Sequence, residues 1–232
     1  MKTIGIIGAM DEEIAVLKPK LEMISAKSIV GTEFYMGKLR DVSAVVVRCG
    51  IGKVNAAVCV QVLSDMYGVD CIINTGVAGG LDPRLSVCDV VISKDVVQHD
   101  FDATMFGYEA GIIPRMPVSF FEADSELVSA AEKACDVVLS GHKAILGRIA
   151  SGDLFVSRKE DKDRIINVFS ASCVEMEGAA IGHACYLNKI PFVIIRAMSD
   201  TADGGATEDF NKFVIKAAEQ SGAIVERMLL SF

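Results

Sequence analysis

No stretch of this 232-residue chain reaches the 18 or so uncharged apolar residues that a bilayer-spanning helix needs, although 51% of its residues are hydrophobic. Asp, Glu, Lys or Arg interrupts every apolar segment, so no membrane partner is expected. The apolar start from Thr3 to Met10 gives way at once to Asp11, Glu12 and Glu13, which reads as a strand and not as a secretory leader. Basic charge is short as well: 23 Lys and Arg stand against 31 Asp and Glu, a net charge of −8, which lacks the footprint of a nucleic-acid binder. With only three histidines (99, 142 and 183), the group His99, Asp100 and Asp102 has no second His at ligand spacing, so no metal is expected. Seven cysteines (49, 59, 71, 88, 135, 173 and 185) lie in apolar segments and form no CxxC pair. They read as reduced core thiols, which points to the cytoplasm.

Common cofactor and nucleophile signatures are missing too. Gly5 and Gly8 lack the GxGxxG spacing of a dinucleotide loop, and Gly50-Ile-Gly52-Lys53 lacks the GxxxxGK[ST] spacing of a phosphate loop. No GxSxG elbow or local Cys/His signature supports covalent catalysis.

What is present is an alternation of short β-branched runs with longer segments of helical period, the pattern of βαβ units wound into a mostly parallel sheet. Strands are predicted over Thr3–Ile7, Ala44–Arg48, Cys71–Thr75, Val87–Ser93, Ala144–Ile149 and Phe192–Ala197. Helices are predicted over Glu12–Leu21, Val54–Tyr67, Ser125–Leu139, Lys159–Phe169, Glu175–Leu187 and Thr207–Leu229. Nothing resembles a linker or a repeat, so residues 1–232 read as one domain. The stretch from Gln98 to Glu122, with Pro114 and Pro117, is too long for an ordinary connection and reads as a functional loop or an interface.

In open α/β sheets the ligand crevice lies beyond the carboxyl ends of the strands. Residues 8–13, 49–55, 74–80, 151–156 and 196–200 fall there. Gly76, Gly79 and Gly80 suit turns or a ligand crevice. Asp11, Glu12 and Glu13 would fill the first turn of a helix, where the dipole alone favours carboxylates. Glu175 and Glu177, two apart at a helix start, cannot share a face. One can point into a crevice while the other is solvated or pairs with a base. Asp200 closes an apolar strand, where partial burial makes a general acid available at neutral pH, or it caps a turn.

Taken in order, Gly5-Ile-Ile-Gly-Ala-Met-Asp-Glu-Glu13, Cys49-Gly-Ile-Gly-Lys-Val-Asn-Ala-Ala57, Thr75-Gly-Val-Ala-Gly-Gly80, His99-Asp100, Ser151-Gly-Asp153, Val174-Glu-Met-Glu177 and Arg196-Ala-Met-Ser-Asp200 resemble the 5′-methylthioadenosine/S-adenosylhomocysteine nucleosidases of the nucleoside phosphorylase-like superfamily. The resemblance spans essentially the whole chain. It implies an α/β fold, a three-layer α/β/α sandwich around a mixed, partly barrel-like central sheet. It implies hydrolysis of the bond between adenine N9 and ribose C1′, a role in methionine salvage, and no metal or organic cofactor. Adenine leaves badly as an anion, so the reaction needs a proton on the base and support for an oxocarbenium-like sugar. On the matched positions Asp200 would protonate adenine N7, Glu13 would activate water, and Glu177 would accept the ribose hydroxyls.

The same resemblance gives Phe155 base stacking, the Val156 backbone the adenine edge, and Met176 the ribose. Met10, Ile51 and Phe210 would line the pocket for the 5′-thio group. Phe106 and Pro114 match positions that reach into the neighbouring site of a homodimer. Ser199 and Arg196 would hold the acidic loop and the ribose-gripping carboxylate, structural support being the stronger reading. Val77 stands where many relatives place a serine, a departure that weakens a phosphate site more than a water site. A purine nucleoside phosphorylase of the same fold and a non-catalytic nucleoside-binding protein stay open as alternatives.

Overall fold

In the computed structural model, which describes residues 2–200 and 206–232 (only the backbone of 206–210), alternation along the strands divides the interior into two faces. The elements are β1 (Thr3–Gly8), α1 (Asp11–Ile14), β2 (Glu22–Ile29), β3 (Thr32–Leu39), β4 (Val42–Arg48), α2 (Lys53–Tyr67), β5 (Cys71–Gly80) and β6 (Val90–Gln98). They continue with β7 (Phe120–Glu122), α3 (Ser125–Val138), β8 (Ala144–Ser151), α4 (Lys159–Phe169), β9 (Cys173–Glu175), α5 (Gly178–Asn188), β10 (Phe192–Asp200) and α6 (Ala206–Met228).

Residues of one parity, such as Ile7, Val45, Val47, Ile72 and Ile194, pack toward α2 and α5. Their neighbours Ile4, Ile6, Val46, Ile73, Val193 and Ile195 pack toward α1, α3 and α6. A period of two is what a pleated strand buried on both faces imposes. The result is a sheet between two helical layers.

The strands run in the order β10-β6-β8-β9-β5-β1-β4-β3-β2, and β10 also pairs with β5, so five of them close into a barrel. Around it β5–β10, β6–β8 and β8–β9 are parallel, while β10–β6 and β5–β9 are antiparallel. The sheet is therefore mixed, where the β-branched runs alone predict a mostly parallel one.

Three expectations need correction, and one hairpin is new. The helix expected over Glu12–Leu21 is a single turn, α1, followed by a 3-10 turn at Lys18–Lys20; Pro19 cannot donate to an α-helical ladder and disfavours helical backbone at Lys18. The helix expected from Glu175 starts at Gly178, because Glu175 ends β9 and Glu177 is the N-cap of α5. Gly76, Gly79 and Gly80 are not turn glycines but part of the long strand β5. The β2–β3 hairpin was not expected: β2 is mostly exposed and its residues follow no clear alternation. Among the described residues, no helix is long and apolar enough to cross a membrane.

Candidate active site

A cavity of about 400 Å³ opens at the carboxyl ends of the barrel strands, within the usual range for small-molecule sites. Its walls come from Ala9, Met10 and Glu13 after β1, Val77–Gly79 of β5, the Leu154–Val156 segment after β8, Val174–Glu177 at β9, and Ser199 and Asp200 at the end of β10.

Glu13 is built in by its own backbone. As the third residue of α1 its carboxylate reaches back to the helix start, taking the N–H of Ala9 at 2.6 Å and of Met10 at 3.1 Å on Oε2. Oε1 takes the N–H of Val77 at 3.0 Å. The side chain is buried, and burial raises its pKa against the opposing pull of Arg196 and these three N–H groups. At position 77 it is thus the backbone that meets the acid, whatever the side chain. Gly76 leaves the room: a Cβ there would overlap the Glu13 carboxylate and lie 3.1 Å from Arg196 Nη1.

The other acids are ordered by a buried arginine. Arg196 Nη2 donates to Glu175 Oε2 at 2.6 Å and to Asn74 Oδ1 at 2.5 Å, and Asn74 in turn donates to the Ile7 carbonyl at 2.8 Å. Glu175 spends its remaining lone pairs on the N–H groups of Glu177 and Gly178, at 3.0 and 2.8 Å, and on the Ser151 hydroxyl. This pairing orients the start of α5, so that Glu177 faces the cavity with Oε1 accepting from Gly52 N–H at 2.8 Å. Burial, then the nearby Glu175, pushes the Glu177 carboxyl up to about 8, with Arg196 and the Gly52 N–H opposing. Arg196 does not line the cavity. It stands behind the wall and acts on Glu177 through Glu175.

At the far rim Ser199 Oγ donates to Asp200 Oδ1 at 3.1 Å, and Lys162 Nζ lies 3.7 Å from Asp200 Oδ2. Gly79 again gives space, a Cβ there lying 3.2 Å from Oδ2. The Gly50–Gly52 turn and the segment after β8 are fastened together: Asp153 accepts from Lys53 N–H at 2.8 Å, Asp100 accepts from Asp153 N–H at 2.9 Å, and Lys53 Nζ pairs with Asp100 at 2.6 Å. The His99-Asp100 motif thereby has a structural role in joining two walls of the cavity.

Of the residues singled out in the sequence, Glu13, Glu177, Asp200, Met10, Ile51, Val77, Phe155, Val156, Met176 and Ser199 meet at this one cavity. Phe106 and Pro114 do not line it, and Phe106 is 83% exposed. The Phe210 side chain lies outside the described residues. The expectation that one acid of the Glu175/Glu177 pair meets a base is fulfilled by Glu175 on Arg196, whereas sequence reasoning gave no role to Asn74, Ser151 or Lys162. A signal existed for the last: Lys162 shares the i, i+3, i+4, i+7 stripe of α4 with Ile165, Ile166 and Phe169, an odd place for a lysine.

The family model of the phosphorylase superfamily matches residues 3–230. A 5′-methylthioadenosine/S-adenosylhomocysteine nucleosidase of Staphylococcus aureus (strain JH9) is 46% identical over 228 residues, covering 97% of this chain and 98% of its own. A solved nucleosidase of that name from Colwellia psychrerythraea 34H, in complex with adenine, superposes with a TM-score of 0.94 at 41% identity, covering 98% of this chain and 94% of that one. Another, from Neisseria meningitidis in complex with methylthio-immucillin-A, gives 0.95 at 40% identity with both chains covered in full.

Proposed function

The chain belongs to the phosphorylase superfamily, among its 5′-methylthioadenosine/S-adenosylhomocysteine nucleosidases, and from that premise we propose how its cavity works. The enzyme is an N-ribosyl hydrolase that releases adenine from both thio-nucleosides. The observation that carries the assignment of roles is the gathering of Glu13, Glu175, Glu177 and Asp200, all buried, at one cavity whose other walls are mainly apolar. Adenine stacks on Phe155 with its edge on the Val156 backbone, and the uncharged 5′-thio group packs on Met10 and Ile51. Asp200 protonates N7, so that the base departs neutral. Glu177 grips the ribose hydroxyls, and Met176 packs on the sugar. Glu13, whose raised pKa favours taking up a proton, orients water at C1′ and accepts its proton. Acids with few neighbouring cations favour positive charge developing on the sugar, where a preorganised field lowers the barrier most.

Water as the nucleophile is further supported by charge. Among the described residues the cavity lining holds no Lys or Arg, and Arg196 is engaged by Glu175. Incoming phosphate would find acidic side chains and no cation in the lining, Lys162 standing outside it beside Asp200. A homodimer, with Phe106 and Pro114 completing the partner's site, is supported by the exposed Met105 and Phe106 on the long loop and by the half-open Ile51 and Phe155 at the cavity mouth. A cytoplasmic setting, where the products enter methionine salvage, is supported by seven buried free thiols. Incubation with methylthioadenosine and S-adenosylhomocysteine, with and without phosphate, tests the reaction. Free adenine should appear at equal rates in both, and strict dependence on phosphate would contradict hydrolysis.

A further inference from the structure

Lysine is almost never buried without an anionic partner, yet the Lys162 side chain is only 4% exposed. It shares the buried stripe of α4 with Ile165 and Phe169, beside the apolar cluster of Leu81, Val97, Ala150, Val156 and Val174. Its ammonium lies 3.7 Å from Asp200 Oδ2, and that carboxylate is also only 4% exposed. A buried charge pair of this kind contributes little to stability by itself. The pair therefore calls for a reason beyond folding.

We propose that Lys162 is a positioning residue for the general acid. It fixes the Asp200 carboxyl at the purine end of the cavity and sets the pH at which that carboxyl gives up its proton. The proposal rests on the role of Asp200 given above. Its geometry is specific: α4 follows directly on the segment carrying Phe155 and Val156, and Lys162, outside the cavity lining, ties this helix to Asp200 at the cavity wall. From the other sides Asp200 is met by Ser199, which donates to Oδ1, and by Gly79, which offers no side chain. Among the described residues, the remaining charged groups around the cavity are Glu13 of α1, Glu175 of β9 and Glu177, with Arg196 behind them taken by Glu175. Since these three facing groups are acidic, they favour protonated Asp200, and among the described residues Lys162 is the cation that opposes them. A cation within about 4–6 Å holds a carboxyl ionised to lower pH, by roughly 1–3 pH units.

The test compares Lys162→Met, Lys162→Arg and Asp200→Asn on methylthioadenosine, with circular dichroism to establish folding. In Lys162→Met, kcat should fall at least tenfold while KM changes less than threefold. The alkaline limb of the kcat/KM profile should also move up by about one unit or more, because the acid keeps its proton to higher pH without the ammonium. Lys162→Arg, which keeps the charge, should hold the limb in place and restore most of kcat. In an Asp200→Asn background, Lys162→Met should have no further effect on residual turnover. An unchanged profile in Lys162→Met, a fall in kcat at all pH values without movement of the limb, or a shifted limb in a folded Lys162→Arg would overturn the proposal. If Lys162→Met does not fold, the limb of Lys162→Arg and of Lys162→Gln decides by the same criteria. An active Asp200→Asn refutes the acid's role itself, whereas an inactive Asp200→Asn beside an unaffected Lys162→Met refutes only the part given to the lysine.

Discussion

At the scale of single residues, burial sets the chemistry of the acids, and it leaves a trace in stability. The Glu177 carboxyl titrates near 8 in the folded chain, against an ordinary value of 4.5. Between those two pH values the folded chain holds a proton that the unfolded chain has released, so stability falls as pH rises through that window and levels off above it. Below the lower value both states are protonated and nothing is lost. Glu177→Gln keeps an oxygen to accept from Gly52 N–H but cannot ionise. Its melting temperature is expected to exceed that of the parent at pH 8 and to match it at pH 4, as read by thermal unfolding in parallel buffers. Equal melting temperatures at both pH values would contradict the raised titration of Glu177. Glu13 and Asp200 were visible in the sequence because each lies at or just beyond the end of a predicted strand, and Glu177 because it stands at a predicted helix start, while the roles of all three came from the family resemblance. The Arg196–Glu175–Asn74 relay was not visible, since its members lie 21 and 122 residues apart from Arg196 and only the sheet brings them together.

At the scale of elements, strongly periodic segments were legible and marginal ones were not. β1, β4, β5 and β10 carry alternating apolar residues buried on both faces, and α2, α3 and α4 appear within a residue or so of their expected bounds. β2 buries little, β7 and β9 are three residues each, and α1 is one turn, so none has enough periodicity to be read without its neighbours. The glycines of β5 are the most instructive case. Turn glycine and strand glycine look alike in sequence, but Gly76 is where the sheet passes directly under the Glu13 carboxylate. Gly76→Ala is expected to displace that carboxylate, lowering kcat by at least tenfold and stability by about 1–3 kcal/mol through overpacking. Turnover and denaturant unfolding check the two effects separately. Near-parental kcat would show that Glu13 can shift without consequence.

At the scale of the whole molecule, closing five strands into a barrel gathers residues 13, 177 and 200 at one opening, which a flat sheet of the same strands would hold apart. The long loop leaves Met105 and Phe106 outside that opening, 94% and 83% exposed. If they complete a partner's site, Phe106→Ala should weaken self-association and raise KM together. Sedimentation and initial rates over a dilution series measure both, and a fully active monomer would count against a shared site. Whether separate carboxyl groups hand protons in opposite directions across a single C–N bond is read from steady-state turnover of methylthioadenosine in Glu13→Gln and Asp200→Asn. Both should stay folded and lose on the order of 10² to 10⁴ in kcat; near-parental turnover in either would contradict the account.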